Sequence, residues 1–246
     1  WARLMPQIVY YFAAALRLGA PAKKVGFSVP TGNFGNVFAG YVAVQMGLPV
    51  ERLIIASNQN DILPRFFASG TMSRGSVVPS LSPSMDIQVS SNFERLLYEL
   101  LDRDGMATAD VMKQFSETGQ FHVDDSVLAR AKALFSAYRL DDDGTIAEIA
   151  AIAKDNNMTI DPHSAVGLYA ARQAHADGTV SSDVPIVALA CAHPAKFDAA
   201  VTKATGVVPK LPSHLADLMK RPERQQYVAA TFDAVKSLVL DMKRGA

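Results

Sequence analysis

Short apolar runs alternate along this chain with longer stretches in which apolar residues return every three or four positions. Val25 to Val29, Leu53 to Ala56 and Ile186 to Ala190 are the short runs. Apart from Ser28 they carry no polar residue, so each predicts a strand covered on both faces, as in a parallel sheet. Leu4 to Leu18 places Ile8, Tyr11, Phe12, Ala15 and Leu16 at helical spacing, with Pro6 in its first turn and Gly19 and Pro21 past its end. Val37 to Met46 predicts a second helix, and Phe93 to Leu101 a third, with Asn92 as its cap. The stretch from Thr108 to Asn157 reads as largely helical. Asp161-Pro162 opens a helix carrying Ala165 to Ala176, and Pro194 opens another that reaches about Ala204. Asp86 to Val89 suits a short strand, and Ser69 to Ser84, rich in Ser, Gly and Pro, suits a long loop. Strands alternating with helices predict an α/β fold, an open and mostly parallel sheet flanked by helices. Residues 1–212 make that body. Residues 213–246 read as a helical C-terminal extension of two helices split by Pro222.

Composition narrows the function. The 246 residues are 49% apolar, enough for one large domain with an appendage. Twenty-four basic and 24 acidic side chains balance without forming a basic stripe, which argues against nucleic acid as a partner. No apolar run reaches the length of a membrane span, so no membrane role is expected. The single cysteine, Cys191, excludes an intrachain disulfide and suits a reducing compartment, so a cytoplasmic protein is expected. The chain starts at Trp1 and enters a helix almost at once, which suggests the C-terminal part of a longer polypeptide.

The candidate chemistry begins between the first strand and the second helix, in Ser28-Val-Pro-Thr-Gly-Asn-Phe-Gly-Asn36. A strand that turns through glycines into a helix turns its N–H groups outward, and the helix start adds partial positive charge. Gly32 and Gly35 are suited to positive φ and to close backbone approach, and Asn33 and Asn36 add side-chain donors. A phosphate monoester fits such a turn. Neither the Walker triplet nor the dinucleotide glycine spacing is present.

Other motifs stay open between two readings. Cys191 follows the third strand and reads as a weak donor in the same crevice or as a small buried hydrophobe. Lys196, in a helix's first turn, reads as an amine nucleophile or as a solvated charge. His163 reads as a general acid or base or as a structural histidine. Asn92 and Arg95 read as substrate contacts or as a cap and a surface charge. Asp141-Asp142-Asp143-Gly144 fails the calcium-loop template and suits a solvated helix start, and the five histidines form no close pair, so no metal is expected.

Taken together, five segments resemble threonine synthase, a pyridoxal-phosphate enzyme family of the tryptophan-synthase-β fold type. They are Ser28 to Asn36, Asn60-Asp-Ile-Leu-Pro-Arg-Phe-Phe67, Pro83-Ser-Met-Asp-Ile-Gln-Val-Ser-Ser-Asn-Phe-Glu-Arg95, Asp161-Pro-His-Ser-Ala-Val-Gly167 and Ala192-His-Pro-Ala-Lys-Phe197. The resemblance implies an incomplete large domain of fold type II that binds pyridoxal 5'-phosphate. It implies that O-phospho-L-homoserine and water become L-threonine and phosphate, a step in the aspartate family of amino-acid biosynthesis. It assigns Gly32, Asn33, Phe34, Gly35 and Asn36 to the cofactor phosphate. Cys191 takes the position facing the pyridine nitrogen, where relatives usually carry Thr or Ser. Asn92, Arg95 and His163 are the substrate candidates. The lysine that anchors the cofactor lies upstream of the turn in the family, and Lys23 and Lys24 lack its context. No catalytic residue is therefore expected in this chain, and the chain alone is expected to be inactive. Two alternatives remain: another enzyme of the fold type catalysing β-replacement or dehydration, and a non-catalytic homologue that binds phosphorylated metabolites.

Overall fold

A computed structural model describes residues 1–244. The chain divides into two compact units, residues 1–209 and 210–246. The first contains α1 (Met5–Arg17), β1 (Val25–Pro30), α2 (Gly35–Gln45), β2 (Val50–Ser57), α3 (Ile62–Ser69), β3 (Thr71–Ser73), α4 (Phe93–Leu100) and α5 (Gly105–Thr118). It continues through β4 (Gln120–His122), α6 (Asp125–Leu134), β5 (Phe135–Arg139), α7 (Asp142–Asn156), α8 (Pro162–Ala176), β6 (Ile186–Ala188) and α9 (Asp198–Thr205). The second unit contains α10 (Phe232–Arg244).

The main sheet has the order β5-β2-β1-β6, and all three pairings are parallel. β3 and β4 form a separate antiparallel pair. β1 and the second half of β2 are buried on both faces, whereas β6, at the sheet edge, is only half-buried, contrary to the expectation for that run. Leu53 and Ile55 join Phe27, Val29, Val37 and Tyr11 in one core layer, while Ile54 and Ala56 join Val166, Ala170 and Ala174 in the other. Adjacent β2 residues thus feed opposite layers, the consequence of a two-residue side-chain period. Each such side chain withdrawn from water contributes roughly 1.5–3 kcal/mol before ordering costs. All four strands run the same way, so the turns after β1 and β6, which are neighbours, leave the sheet at the same edge.

Several expected elements differ. The largely helical stretch from Thr108 to Asn157 contains β4 and β5, and β5 forms one edge of the main sheet. Leu134 ends α6 and Phe135 is already extended, at φ −103° and ψ 145°. No glycine or proline punctuates that boundary. Only pairing with Leu53–Ser57 fixes the strand. Asp86 to Val89 is not a strand. The Asp86 carboxylate accepts from Ser80 N (2.8 Å), Asn58 Nδ2 (2.7 Å) and Asn60 Nδ2 (3.0 Å), which folds the segment inward after a 3-10 turn at Pro83–Met85. Among the described residues the extension has one α-helix preceded by 3-10 turns at Ser213–Leu215 and Leu218–Lys220, not two helices. The polar run around Pro222 offers no apolar face for a helix to bury. Asp141 and Asp161 do cap their helices, accepting from Gly144 N at 2.9 Å and His163 N at 3.0 Å.

Candidate functional site

A cleft of about 660 Å³ opens where β1 and β6 end. The turn Pro30–Asn36, Ser84, Ser91, Asn92, Arg95 and Cys191 line it, with Trp1, Arg3, Leu4 and Gln7 from the start of the chain.

The turn does not take the conformation that its glycines suggest. Gly32 and Gly35 are not at positive φ; Phe34 is, at φ 64° and ψ 0°. A left-handed residue ahead of a right-handed helix turns successive N–H groups to one side. Strain of order 1–3 kcal/mol accompanies a bulky residue there. The buried Phe34 ring holds it, packing edge-on to Phe93 at 5.2 Å and tilted against Phe135 at 5.9 Å. Gly32 serves another need. A Cβ there would lie 2.9 Å from Ser84 O and 3.2 Å from Met85 Cα, so the turn passes directly against the Pro83–Met85 backbone.

Donors and acceptors of the turn are sorted. Ser90 Oγ donates to Gly32 O at 2.7 Å. Asn92 donates to Asn33 O from both its backbone N (3.1 Å) and Nδ2 (2.9 Å). Ser91 Oγ donates to Asn33 Oδ1, and Phe38 N to Phe34 O. The Tyr11 hydroxyl reaches Asn36 O at 2.8 Å and Asn36 Oδ1 at 3.1 Å. Among the described residues, by contrast, no protein acceptor receives the N–H groups of Gly32, Asn33, Phe34, Gly35, Asn36 or Val37, nor Nδ2 of Asn33 or Asn36. The acceptors are taken and the donors are free, at the N-terminus of an eleven-residue helix. An anion with several oxygens matches that surplus. A cationic group does not.

The remaining predicted residues divide. Arg95 lines the cleft, and none of the ion pairs among the described residues includes it or its neighbour in the lining, Arg3. Arg95 donates from Nε to Asn92 Oδ1 at 3.1 Å, so Asn92 both braces the turn and orients the guanidinium. Asn92 stands at the N-cap position of α4 without capping it. Cys191 is exposed at the cleft, yet its sulfur is crowded; burial first, and the Asp161 charge second, push the thiol up to about 12. Lys196 is outside the lining, its ammonium 5.6 Å from the Phe197 ring centroid. No lysine lines the cleft among the described residues.

His163 is buried behind the cleft wall, outside the lining. Its Nδ1 donates to Asp161 Oδ1 at 2.9 Å, and its Nε2 accepts from Ser84 N at 3.3 Å, an arrangement that places the ring hydrogen on Nδ1. Asp161 Oδ2 accepts from Ser164 Oγ and from Ala192 N (3.2 Å), and Ser164 Oγ accepts from Cys191 N at 3.1 Å. Burial alone would raise the Asp161 carboxyl. The hydrogen bonds from His163, Ser164 and Ala192 outweigh that and hold it below its usual range. One buried carboxylate thus ties together the two loops that carry Ser84 and Cys191. Among the described residues, no group of three or more His, Cys, Asp or Glu gathers to hold a metal, and no helix is long and apolar enough to cross a membrane.

Sequence reasoning missed Ser84, Ser90, Ser91, Arg3 and Trp1 as parts of this region. Ser84, Ser90 and Ser91 lie inside the segment Pro83 to Arg95, but a serine in a loop carries no signal of its partner. Only the folded position of Gly32 gives Ser90 its role.

Residues 164–239 match the family described as threonine synthase, C-terminal. The chain is 51% identical to threonine synthase of Pseudomonas aeruginosa over 225 residues, covering 91% of this chain and 47% of that protein. It is 41% identical to the Saccharomyces cerevisiae threonine synthase over 221 residues, covering 83% and 43%. The fold superposes on threonine synthase from Brucella melitensis, solved with pyridoxal phosphate bound, with a TM-score of 0.90 and 48% identity over 97% of this chain and 50% of that one. The chain spans about half the length of the curated relatives it matches.

Proposed function

We infer the function from a premise: this chain is similar, over nearly its whole length, to about half of threonine synthases, and its residues 164–239 match a model of their C-terminal part. The reading is that it is the cofactor-phosphate half of an enzyme that converts O-phospho-L-homoserine and water to L-threonine and phosphate. One observation carries it: the turn whose acceptors are satisfied and whose six backbone N–H groups and two side-chain amides are not. That surplus of donors fits the phosphate of pyridoxal phosphate. Gly32, Asn33, Phe34, Gly35 and Asn36 would hold it, with Cys191 at the cleft wall toward the ring. When bound, that cofactor supplies an electron sink for carbanion chemistry at the substrate.

The chain's own residues contribute binding and orientation. The free amides and the α2 N-terminus neutralise a dianion without a counter-charge that must itself be desolvated. Arg95 and Arg3 offer guanidiniums in the cleft lining, suited to the substrate's phosphate or carboxylate. Cys191, with its thiol protonated, offers a weak neutral donor. The Asp161–His163 tie fixes the walls, with both ring nitrogens of His163 engaged by protein.

A lysine to anchor the cofactor and shuttle the proton is not among the cleft residues, so turnover requires a second polypeptide segment that carries one. Phosphate release from phosphohomoserine should be absent with this chain and pyridoxal phosphate alone. It should appear when the half of the Pseudomonas aeruginosa enzyme that this chain does not match is added. Turnover by the chain alone, or release of ammonia from serine by the complemented pair, would overturn the reading.

A further inference from the structure

Three side chains hold carbonyl oxygens of the turn, and this goes beyond assigning the turn to an anion. In a trans peptide the C=O and N–H of one plane point in opposite directions. Fixing the carbonyl of Gly32 therefore fixes the N–H of Asn33, and fixing the carbonyl of Asn33 fixes the N–H of Phe34. Ser90 Oγ holds the first at 2.7 Å, Asn92 Nδ2 and N hold the second at 2.9 and 3.1 Å, and the Tyr11 hydroxyl holds Asn36 O at 2.8 Å. We propose that Ser90 and Asn92 are positioning residues for the anion cradle, aiming the Asn33 and Phe34 amides at the cleft and keeping the Gly32 and Asn33 carbonyls from facing the phosphate.

A peptide freed from its brace can rotate, and rotation presents a carbonyl lone pair where a donor stood. The exchange matters most for a dianion, because donors to charged oxygens are stronger than neutral pairs and a misdirected acceptor repels. The sequence makes such rotation easy at this point, since Gly32 has no Cβ to restrict its ψ. Helical hydrogen bonding limits it at the far end, where Phe38 N holds Phe34 O. The bracing is thus needed on the segment that lacks helical restraint, and both braces come from Ser90–Asn92. Asn92 also holds Arg95, so Ser90 isolates the effect more cleanly.

The proposal rests on the phosphate reading of the cleft, and the test separates the two. Backbone amide NMR shifts of the chain are followed while inorganic phosphate, pyridoxal phosphate and pyridoxal are titrated in turn. The unaltered chain should show phosphate-dependent shifts at residues 32–37. Ser90→Ala should weaken both phosphate ligands about tenfold, the worth of one hydrogen bond to a charged oxygen, with the Asn33 amide losing its shift first. Pyridoxal, which lacks the phosphate, should bind Ser90→Ala as it binds the unaltered chain. Ser90→Thr, which keeps the hydroxyl, should restore phosphate binding. Asn92→Ala should remove the shift at the Phe34 amide. Equal phosphate affinity in Ser90→Ala, or parallel weakening of pyridoxal, overturns the positioning role while leaving the phosphate site standing. Absence of any phosphate-dependent shift at residues 32–37 in the unaltered chain overturns the site reading and the proposal with it.

Discussion

Two glycines three residues apart in the same turn should respond to alanine in opposite ways. A methyl on Gly32 would stand 2.9 Å from Ser84 O and 3.2 Å from Met85 Cα, both backbone atoms that no rotamer change can move. The Pro83–Met85 turn or the end of β1 has to shift. Ser84 N is tied to His163 and Asn58 reaches Ser82 and Asp86, so the displaced segment is held from behind. Overpacking of this kind costs typically 1–3 kcal/mol. For a chain of this size that is a fall in Tm of roughly 2–4 °C per kcal/mol. A methyl on Gly35 meets its nearest neighbours at 3.5 Å, Asn92 Nδ2 and Leu4 Cδ2, which is ordinary contact. Gly35 lies in α2 at negative φ, where alanine is the better helix former, so stability should hold or rise slightly. That methyl points among cleft residues, however, and should obstruct an anion on the neighbouring amides. Urea unfolding followed by far-ultraviolet circular dichroism, with phosphate titration of each folded variant, separates the two effects. Gly32→Ala should lose stability, and Gly35→Ala should keep stability and lose phosphate affinity. Equal stability of Gly32→Ala and the unaltered chain would refute the steric reasoning.

The buried Asp161 makes a pH prediction. Its folded-state carboxyl titrates below its unfolded value, so the unfolded chain binds its proton first as pH falls. The stability it contributes is therefore complete above the ordinary aspartate range near 4 and is lost as pH drops through the folded value. Acid unfolding should begin there, and Asp161→Asn should lose about 1–3 kcal/mol at neutral pH and show a shallower acid slope; an unchanged slope would count against the network. At Cys191, the rate of maleimide labelling should climb with pH through 10 without levelling, because the thiol is held up to about 12. A midpoint near the ordinary thiol value would contradict the crowding of its sulfur.

The fold was legible wherever burial on two faces leaves a local mark. The run around Ile54 read as a parallel strand because both its neighbours, Leu53 and Ile55, are apolar, and the structure puts them in the core layer opposite to that of Ile54. β5 was not legible, because its apolar residues continue the helical pattern of α6 and only β2 decides otherwise. The turn could be located from its glycines, but not its conformation. Positive φ fell on Phe34 because aromatic packing holds it there, and Gly32 was needed for a contact with Ser84, 52 residues on in the chain. The His163 tie joins three segments far apart in sequence, so a histidine beside Asp-Pro looked equally suited to catalysis and to structure.

The account depends most on the free amides of residues 32–37. Crystals of the chain soaked in pyridoxal phosphate test it directly. Phosphate oxygens within hydrogen-bond distance of the Asn33 to Asn36 nitrogens, with the Gly32 and Asn33 carbonyls still held by Ser90 and Asn92, are the expected result. A cofactor phosphate bound elsewhere in the cleft, with those nitrogens bonded to protein oxygens, would contradict it.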